Sequence, residues 1–336
     1  MNAVLSALAR HASWFPEGLI RLLFMGVADI AWLFRLGGVR QLERNLCRVL
    51  THRDGVPGHR QLRRVSRQAM KSYFLYFAEA LTVGARSSEQ LKARVRGDGE
   101  GLPSIRRQCV ESSAPIAMGH QGNWDYAGFW ANDAIAPVTT VAERLSDERM
   151  LHTFVDIREQ LGMTILLTGH QGLTGRLEQA LQQPHVVVPL LADRDLSRHG
   201  VFVQAFGSTI RVARGPATIA LQSGRPLYVV NMHTEALHGK RKHAAGVGSG
   251  QVCTVSGPIL PEDYAGMAAE DAVQAVSQAW VNVWAAGIED HPEDWHMLQP
   301  IFIEDLDMQR LHGVPEDIRT DIDTVSERAR ARSERI

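Results

Sequence analysis

The chain has 336 residues, 45% hydrophobic, 22% charged and 7% aromatic, long enough for a sizeable core in one large or two small domains. Its 36 Lys and Arg against 37 Asp and Glu leave a net charge of −1, so no bulk basic field argues for nucleic acid. Cys47, Cys109 and Cys253 are odd in number, far apart and without a paired spacing. That excludes a disulfide framework and favours thiols used as small apolar residues in a reducing compartment.

The N-terminus lacks the basic, apolar and small-residue succession of a secretory signal. The longest early apolar run, 22–28, is bounded by Arg21 and Asp29, far short of the ~20 residues of a spanning helix. The expectation is a cytoplasmic location. Residues 14–36 mix Trp14, Phe15, Leu19, Leu22, Leu23, Phe24, Trp32, Leu33 and Phe34 with few charges. Such a segment suits an amphipathic helix in the membrane interface, or one packed on its own core. From 40 to 68 the chain is strongly basic (Arg44, Arg48, Arg60, Arg63, Arg64, Arg67) and reads as helix on both sides of a turn at 54–58. Its charges are either a solvated face or an attraction for anionic headgroups. Residues 70–83, with Tyr73, Phe74, Tyr76 and Phe77, read as a core helix, and 97–113 as a polar connection.

The chain then reaches its most informative stretch, 114–125. Ile116 to Met118 read as a buried strand, Gly119 allows a turn, and His120 follows, with Asp125 opening an apolar segment of helical spacing. A His at the C-terminal end of a strand, beside a helix start, stands where α/β proteins place chemistry. Spacing alone proves little: with 14 His, roughly one His-x4-Asp pair is expected by chance. His312 and Asp317 repeat the spacing inside a charged tail, which makes that pair accidental and context the deciding feature of the first.

Strands are predicted at 137–141, 164–167, 186–192, 227–230 and 252–255. Helices are predicted at 147–161, where Met150, Phe154, Ile157 and Leu161 recur at helical spacing, and at 173–181, 217–223 and 271–286. Residues 239–250 read as an exposed loop, and beyond Phe302 the composition turns charged and poor in aromatics, as a loosely held tail would. Strands separated by helices predict an α/β fold with a central, mostly parallel or mixed β-sheet flanked by helices. The expected organisation is an amphipathic, membrane-associating segment at 1–36, an α/β domain at 37–302 and a tail at 303–336.

A hydroxyl made to attack a carbonyl requires a base, a group that orients it and donors for the oxyanion. His120 fits the base, since imidazole titrates near neutrality, and Asp125 fits the orienting carboxylate. No Gly-x-Ser-x-Gly elbow, Walker A loop, Cys-x-x-Cys or His-Glu-x-x-His competes, and His291 and His296 lack the soft neighbours of a metal site. An arginine suits a substrate phosphate, which its planar fork grips bidentately, and Arg158 is a candidate that helical spacing assigns to neither core nor surface. For Arg144 and Arg149 a surface salt bridge is the competing explanation. Arg211 and Arg214 stand just before a helix start at Pro216, where free N–H groups and the helix dipole favour an anion.

The words around the pair are more specific. His120-Gln-Gly-Asn-Trp-Asp125 resembles the His-x4-Asp motif of the lysophospholipid acyltransferase superfamily, in the branch of bacterial lipid A late acyltransferases and actinobacterial phosphatidylinositol mannoside acyltransferases. Further matches follow: 141–145 with Phe154 and 158–162, then 192–201, then Phe206-Gly207, and finally His291-Pro-Glu-Asp-Trp295. Where the branch often carries an acidic residue after Gly200-Val201, this chain has Phe202, which leaves Asp193 or Asp195 as the acid of that block. Arg194 belongs to the same block. Trp295 reads as an anchor for the last helix rather than as a catalytic group.

The resemblance implies a peripheral enzyme of the cytoplasmic face of the inner membrane, with a long-chain acyl-CoA as donor and a mannose hydroxyl of a phosphatidylinositol mannoside as acceptor. It implies His120 as general base, no metal and no cofactor besides the co-substrate. Two rivals stand beside it: a lipid A late acyltransferase fed by acyl carrier protein, and a non-catalytic lipid-binding protein on the same fold.

Overall fold

A computed structural model describes residues 16–144, 147–169, 172–195 and 199–307, with Val314 and Ile318 beyond them. The expected positions Trp14, Phe15 and Leu196 to Arg198, the side chain of Arg149 and most of the tail lie outside the described residues.

The central sheet runs β1 (Val95–Asp98), β9 (Ser249–Ile259), β8 (Leu227–Ala236), β2 (Ser113–Met118), β5 (Val186–Leu191) from edge to edge. Only β8 and β9 pair antiparallel; β1 with β9, β8 with β2 and β2 with β5 are parallel. The expected α/β architecture is therefore present. β2 is buried at all six positions, which is why 116–118 reads as an unbroken apolar run and not as an alternation. Successive residues still face opposite sides: Ala117 joins the core with Trp280, Trp284 and Trp295, while Ile116 and Met118 join the core with Tyr126 and Trp130. A second parallel pair, β3 (Thr139–Ala142) with β4 (Thr164–Leu167), stands beside β5 through a bridge between Val138 and Val187.

Three predicted features need correction. Residues 97–113, read as a polar connection, contain the end of β1 and a helix, Leu102–Glu111, that buries only Ile105 and Cys109. Residues 239–250, read as an exposed loop, start with a helix, Gly239–Ala245, and end inside β9. The hairpin β6 (Val201–Ala205) and β7 (Ser208–Val212) was not expected at all. Its turn places Phe206 and Gly207 at φ 53° and 70°, the geometry of a two-residue type I′ connection, without the usual Asn-Gly signature.

The first helix, α1 (Glu17–Leu33), settles on α3 (His59–Thr82) through Ile20 and Phe24 against Phe74, Phe77, Ala78 and Leu81. Glu17 reaches into the core, where it meets Arg94 in two contacts of 2.8 Å. The outer face is not polar: Leu19, Leu22, Leu23, Ile30 and Leu33 are all more than half exposed. The helix is thus apolar on both sides rather than amphipathic. Among the described residues, no helix is long and apolar enough to cross a membrane. The basic stretch after α1 is largely paired within the chain, Arg48 with Asp305 at 2.6 Å, Arg63 with Glu43 at 2.7 Å and Arg67 with Asp29 at 2.7 Å.

Candidate active site

The register of the two central strands builds the site. Met118 pairs with Leu191 in parallel, and the amide of Ala192 still donates to the Met118 carbonyl at 2.8 Å. Two residues beyond each partner the chains carry His120 and Asp193, so the same offset from paired strand ends sets the two side chains together. His120 Nδ1 lies 2.6 Å from Asp193 Oδ1, and the His120 backbone N–H donates to Oδ2 at 2.9 Å. Gly119 is required between strand and His, because a Cβ there would collide with the Trp284 indole and crowd the Asp193 carboxylate.

The carboxylate that meets the His120 ring is therefore Asp193 and not, as the sequence led us to expect, Asp125. Asp125 lies in the first turn of α6 (Trp124–Ala134), and its fully buried carboxylate is taken by others. It accepts Arg158 Nε at 2.7 Å and the Tyr76 hydroxyl at 3.1 Å. The physical reason is directional: at a helix N-terminus the side chain is carried sideways toward α3 and α7 (Glu148–Gln160). His120 remains behind it, at the end of the strand.

Asp193 is completely buried. Burial alone would raise its carboxyl, but the His120 ring, the His120 amide and the Trp295 indole N–H at 3.0 Å together hold it below the ordinary carboxylate value. An ionised Asp193 keeps the ring proton on Nδ1, which leaves Nε2 as the basic nitrogen of a ring that lines the cavity. Trp295 is thus an anchor, as expected, and also a direct donor to the partner of His120.

The remaining letters of the motif hold the turn in shape. Gln121 Oε1 accepts the Met232 N–H, and Gly122 adopts φ 57°, a position where a Cβ would meet the Gln251 side chain. Asn123 caps α6 by accepting the amides of Asp125 and Tyr126, both at 3.1 Å, and donates to Glu79 at 2.7 Å. Glu79 is fully buried, and burial pushes its carboxyl up although Arg21 from α1 sits 2.8 Å away. Trp124 packs its indole edge-on to His120, ring centroids 5.5 Å apart.

His120 opens onto a cavity of about 450 Å³. Its walls are mainly apolar, with Met118, Trp130, Ile135, Phe154, Met163 and Cys253 among them, while Arg158, Glu143 and Arg194 supply charge. The Cys253 thiol is pushed up by burial and is inert.

The other predicted residues divide clearly. Arg158 lines the cavity but spends its Nε on Asp125. Arg194 also lines it, paired with Glu143 at 3.3 Å and with Gln299. Asp195 and Arg211 bind each other at 2.7 Å, both nearly buried, and tie β7 to the turn after β5. Arg144 forms an exposed pair with Glu148 one helical turn on, at 2.9 Å. Arg214, directly before the helix Gly215–Ser223, reaches Glu270 at 2.9 Å instead of an anion. Asp195, Arg211, Arg144 and Arg214 do not line the cavity. The described residues offer one cluster of metal-ligand type, His291 with Glu293 and Asp294. There the Asp294 carboxylate already accepts Thr234 N–H at 2.7 Å, the Thr234 hydroxyl at 2.8 Å and the Ser72 hydroxyl at 2.7 Å.

Residues 3–303 match the family described as bacterial lipid A biosynthesis acyltransferase. A phosphatidylinositol mannoside acyltransferase of Mycolicibacterium smegmatis is 34% identical over 303 residues, which cover 88% of this chain and 89% of that protein. Another of the same name from Mycobacterium tuberculosis is 34% identical over 299 residues, covering 88% and 86%.

Proposed function

The chain belongs to the bacterial lipid A biosynthesis acyltransferase family, and on that premise we propose that it moves a long-chain acyl group from acyl-CoA to a mannose hydroxyl of a phosphatidylinositol mannoside. The observation that carries this reading is the His120–Asp193 pair of 2.6 Å at the wall of an apolar cavity. The names of the curated relatives point to the acceptor.

The reaction follows from the atoms present. His120 Nε2 takes the proton of the acceptor hydroxyl as its oxygen attacks the thioester carbonyl carbon. Asp193 stabilises the imidazolium that forms. The tetrahedral oxyanion collapses, the C–S bond breaks, and the imidazolium returns the proton to the departing thiolate. The products are an ester and a free thiol, with no covalent enzyme intermediate. The acyl chain fits the apolar wall, where its burial is worth about 0.8 kcal/mol per CH₂. Arg158 and Arg194 bring positive charge to the same cavity for the phosphate groups of donor or acceptor.

Peripheral association with the cytoplasmic face of the inner membrane is part of this proposal. Its support is the exposed apolar row of α1, since such contiguous patches mark interaction surfaces. Liposome flotation of the full chain carrying Leu19→Ser, Leu22→Ser and Leu33→Ser should fall several-fold; flotation equal to the unaltered protein would remove α1 from the contact.

The central test is transfer of labelled palmitate from palmitoyl-CoA to purified mannosylated phosphatidylinositol. Product is expected with the unaltered chain and none with a folded His120→Ala. Product from both would take His120 out of the mechanism. The family description names lipid A biosynthesis, which keeps one rival, a lipid A precursor acylated from acyl carrier protein, and product with that pair alone would replace the mannoside reading.

A further inference from the structure

Beside His120 the cavity wall carries a second imidazole, to which the acyl transfer above gives no task. His296 lines the cavity, and its backbone N–H donates to the His120 carbonyl at 2.7 Å. Its ring stands edge-on to Tyr73 and Trp124, with centroids 5.5 and 5.9 Å away. The sequence marks it only as the residue after Trp295.

The hydrogen bonds behind the ring decide its tautomer. Asp294, already held by Thr234, accepts the Ser72 hydroxyl proton at 2.7 Å. A hydroxyl has one proton, so Ser72 Oγ can only accept from His296 Nε2, 3.0 Å away. Nε2 therefore carries the ring hydrogen and Nδ1 keeps a bare lone pair. That Nδ1 is buried and has no hydrogen-bond partner, in a residue only 6% exposed. A second proton does not relieve it. Burial, and then the neighbouring His120, lower the ring to about 3. A buried acceptor left without a donor in a cavity-lining side chain is the mark of a missing ligand group.

We propose that His296 Nδ1 binds a hydroxyl of the acceptor sugar, adjacent on the ring to the hydroxyl that His120 deprotonates. This rests on the sugar-acceptor reading above and deepens it. The chemistry selects the ligand, because a lone pair without a proton demands a donor. The thioester carbonyl, its sulfur and the acyl chain offer none. A sugar ring presents hydroxyls on neighbouring carbons, which suits two imidazoles joined by the 2.7 Å contact from the His296 amide to the His120 carbonyl. The amide N–H groups and the hydroxyl of a pantetheine arm are competing donors on the acyl donor, and the test separates the two sources. His296 is then the residue that fixes which hydroxyl faces Nε2 of His120.

The experiment compares His296→Leu with His296→Asn, both checked for an unchanged melting profile at neutral pH. Asn places a carbonyl oxygen near the position of Nδ1 and retains an acceptor. With palmitoyl-CoA saturating, His296→Leu should lower kcat/KM for mannosylated phosphatidylinositol at least tenfold and leave KM for palmitoyl-CoA within twofold. His296→Asn should recover most of the loss. Among acceptors lacking one mannose hydroxyl each, the unaltered enzyme should discriminate against one, and His296→Leu should not. A rise confined to the KM of the donor would assign Nδ1 to the pantetheine arm and overturn the proposal, as would equal use of every deoxy acceptor by the unaltered enzyme. Should the unaltered enzyme acylate no mannoside, the acceptor reading fails by itself. The His296 role is then scored by the imidazole ¹⁵N resonance of Nδ1 on adding methyl α-mannoside: a shift supports hydroxyl binding, and no shift at saturation sinks it.

Discussion

Two buried carboxylates flank the same motif, and they do different work. Asp193 and Asp125 are both almost inaccessible, and each meets a nitrogen of a basic side chain at 2.6 to 2.7 Å. Asp193 stands at a strand end opposite the ring that would take up a proton in the proposed reaction. Asp125 stands at a helix N-terminus opposite Arg158, where burial works against the guanidinium charge and Asp125 holds it in place. In the proposed reaction the first pair is part of a proton path, and the second is a fixed clamp between α6, α7 and Tyr76 of α3. Sequence distance misleads here: the acid five residues from His120 is the clamp, and the acid 73 residues away is the partner.

The sharpest way to break this comparison is to make both acids neutral without changing their shape. In Asp193→Asn an NH₂ would face Nδ1, driving the ring proton to Nε2 and removing the base. The turnover rate should fall roughly 10³- to 10⁴-fold, as loss of an orienting carboxylate does elsewhere, while the protein stays folded. Asp125→Asn should leave Arg158 as an uncompensated buried cation and cost roughly 3–5 kcal/mol of stability. Steady-state rates beside thermal melts read both. Near-normal turnover in Asp193→Asn, with a large loss in folded Asp125→Asn, would exchange the two roles.

A double change sharpens the clamp. Asp125→Leu with Arg158→Met removes the ion pair as a unit, and replacing both partners of a buried pair by apolar groups is often close to neutral. Its melt should lie nearer the unaltered protein than that of either single change. If this stable double variant also loses affinity for acyl-CoA, Arg158 serves substrate as well as α6. If affinity is kept, its role is the clamp alone.

Acidification separates His296 from Asp193. His296 has a folded value near 3 against an ordinary 6.5, so below 6.5 the unfolded chain takes up a proton that the folded one refuses. Its contribution is fully present above 6.5 and is lost as the pH falls from there toward 3, at up to roughly 1.4 kcal/mol per unit. Asp193, held low by its partners, also loses its contribution on acidification, but only below the ordinary carboxylate value. Denaturant melts between pH 7 and 4 should therefore show a slope that His296→Leu flattens. An unchanged slope in that variant would mean that His296 takes up its proton when folded.

Much of this was legible beforehand. The central sheet follows from apolar runs such as 116–118, and the motif turn from its glycines. The partner of His120 was not, because it depends on the pairing of Met118 with Leu191 across long intervening chain, and nothing local encodes register. Asp193 was singled out as an acid of its block, yet its equal offset from a paired strand end acquires meaning only with the sheet in hand. The hairpin at 201–212 was missed because Phe206 occupies a positive φ without an Asn or Asp to announce it. His296 was set aside as a metal ligand. The signal that it belongs to the site, an orphan Nδ1, is purely three-dimensional.

The smallest effects are expected where cationic residues were chosen for their type alone. Arg144 and Glu148 are both more than half exposed, and Arg214 meets a largely exposed Glu270. Exposed pairs of this kind contribute about 0–1 kcal/mol and are screened by salt. Arg144→Ala and Arg214→Ala should each shift stability by less than ~0.5 kcal/mol and leave kcat/KM within twofold. Arg144 gives the stricter test, because it adjoins Glu143, which lines the cavity and pairs with Arg194. A tenfold rise in the KM for acyl-CoA in Arg144→Ala, fading as salt is raised in the unaltered enzyme, would place a donor phosphate at the rim and extend the site beyond its buried wall. A flat response would confine the binding charge to Arg158 and Arg194, which line the cavity.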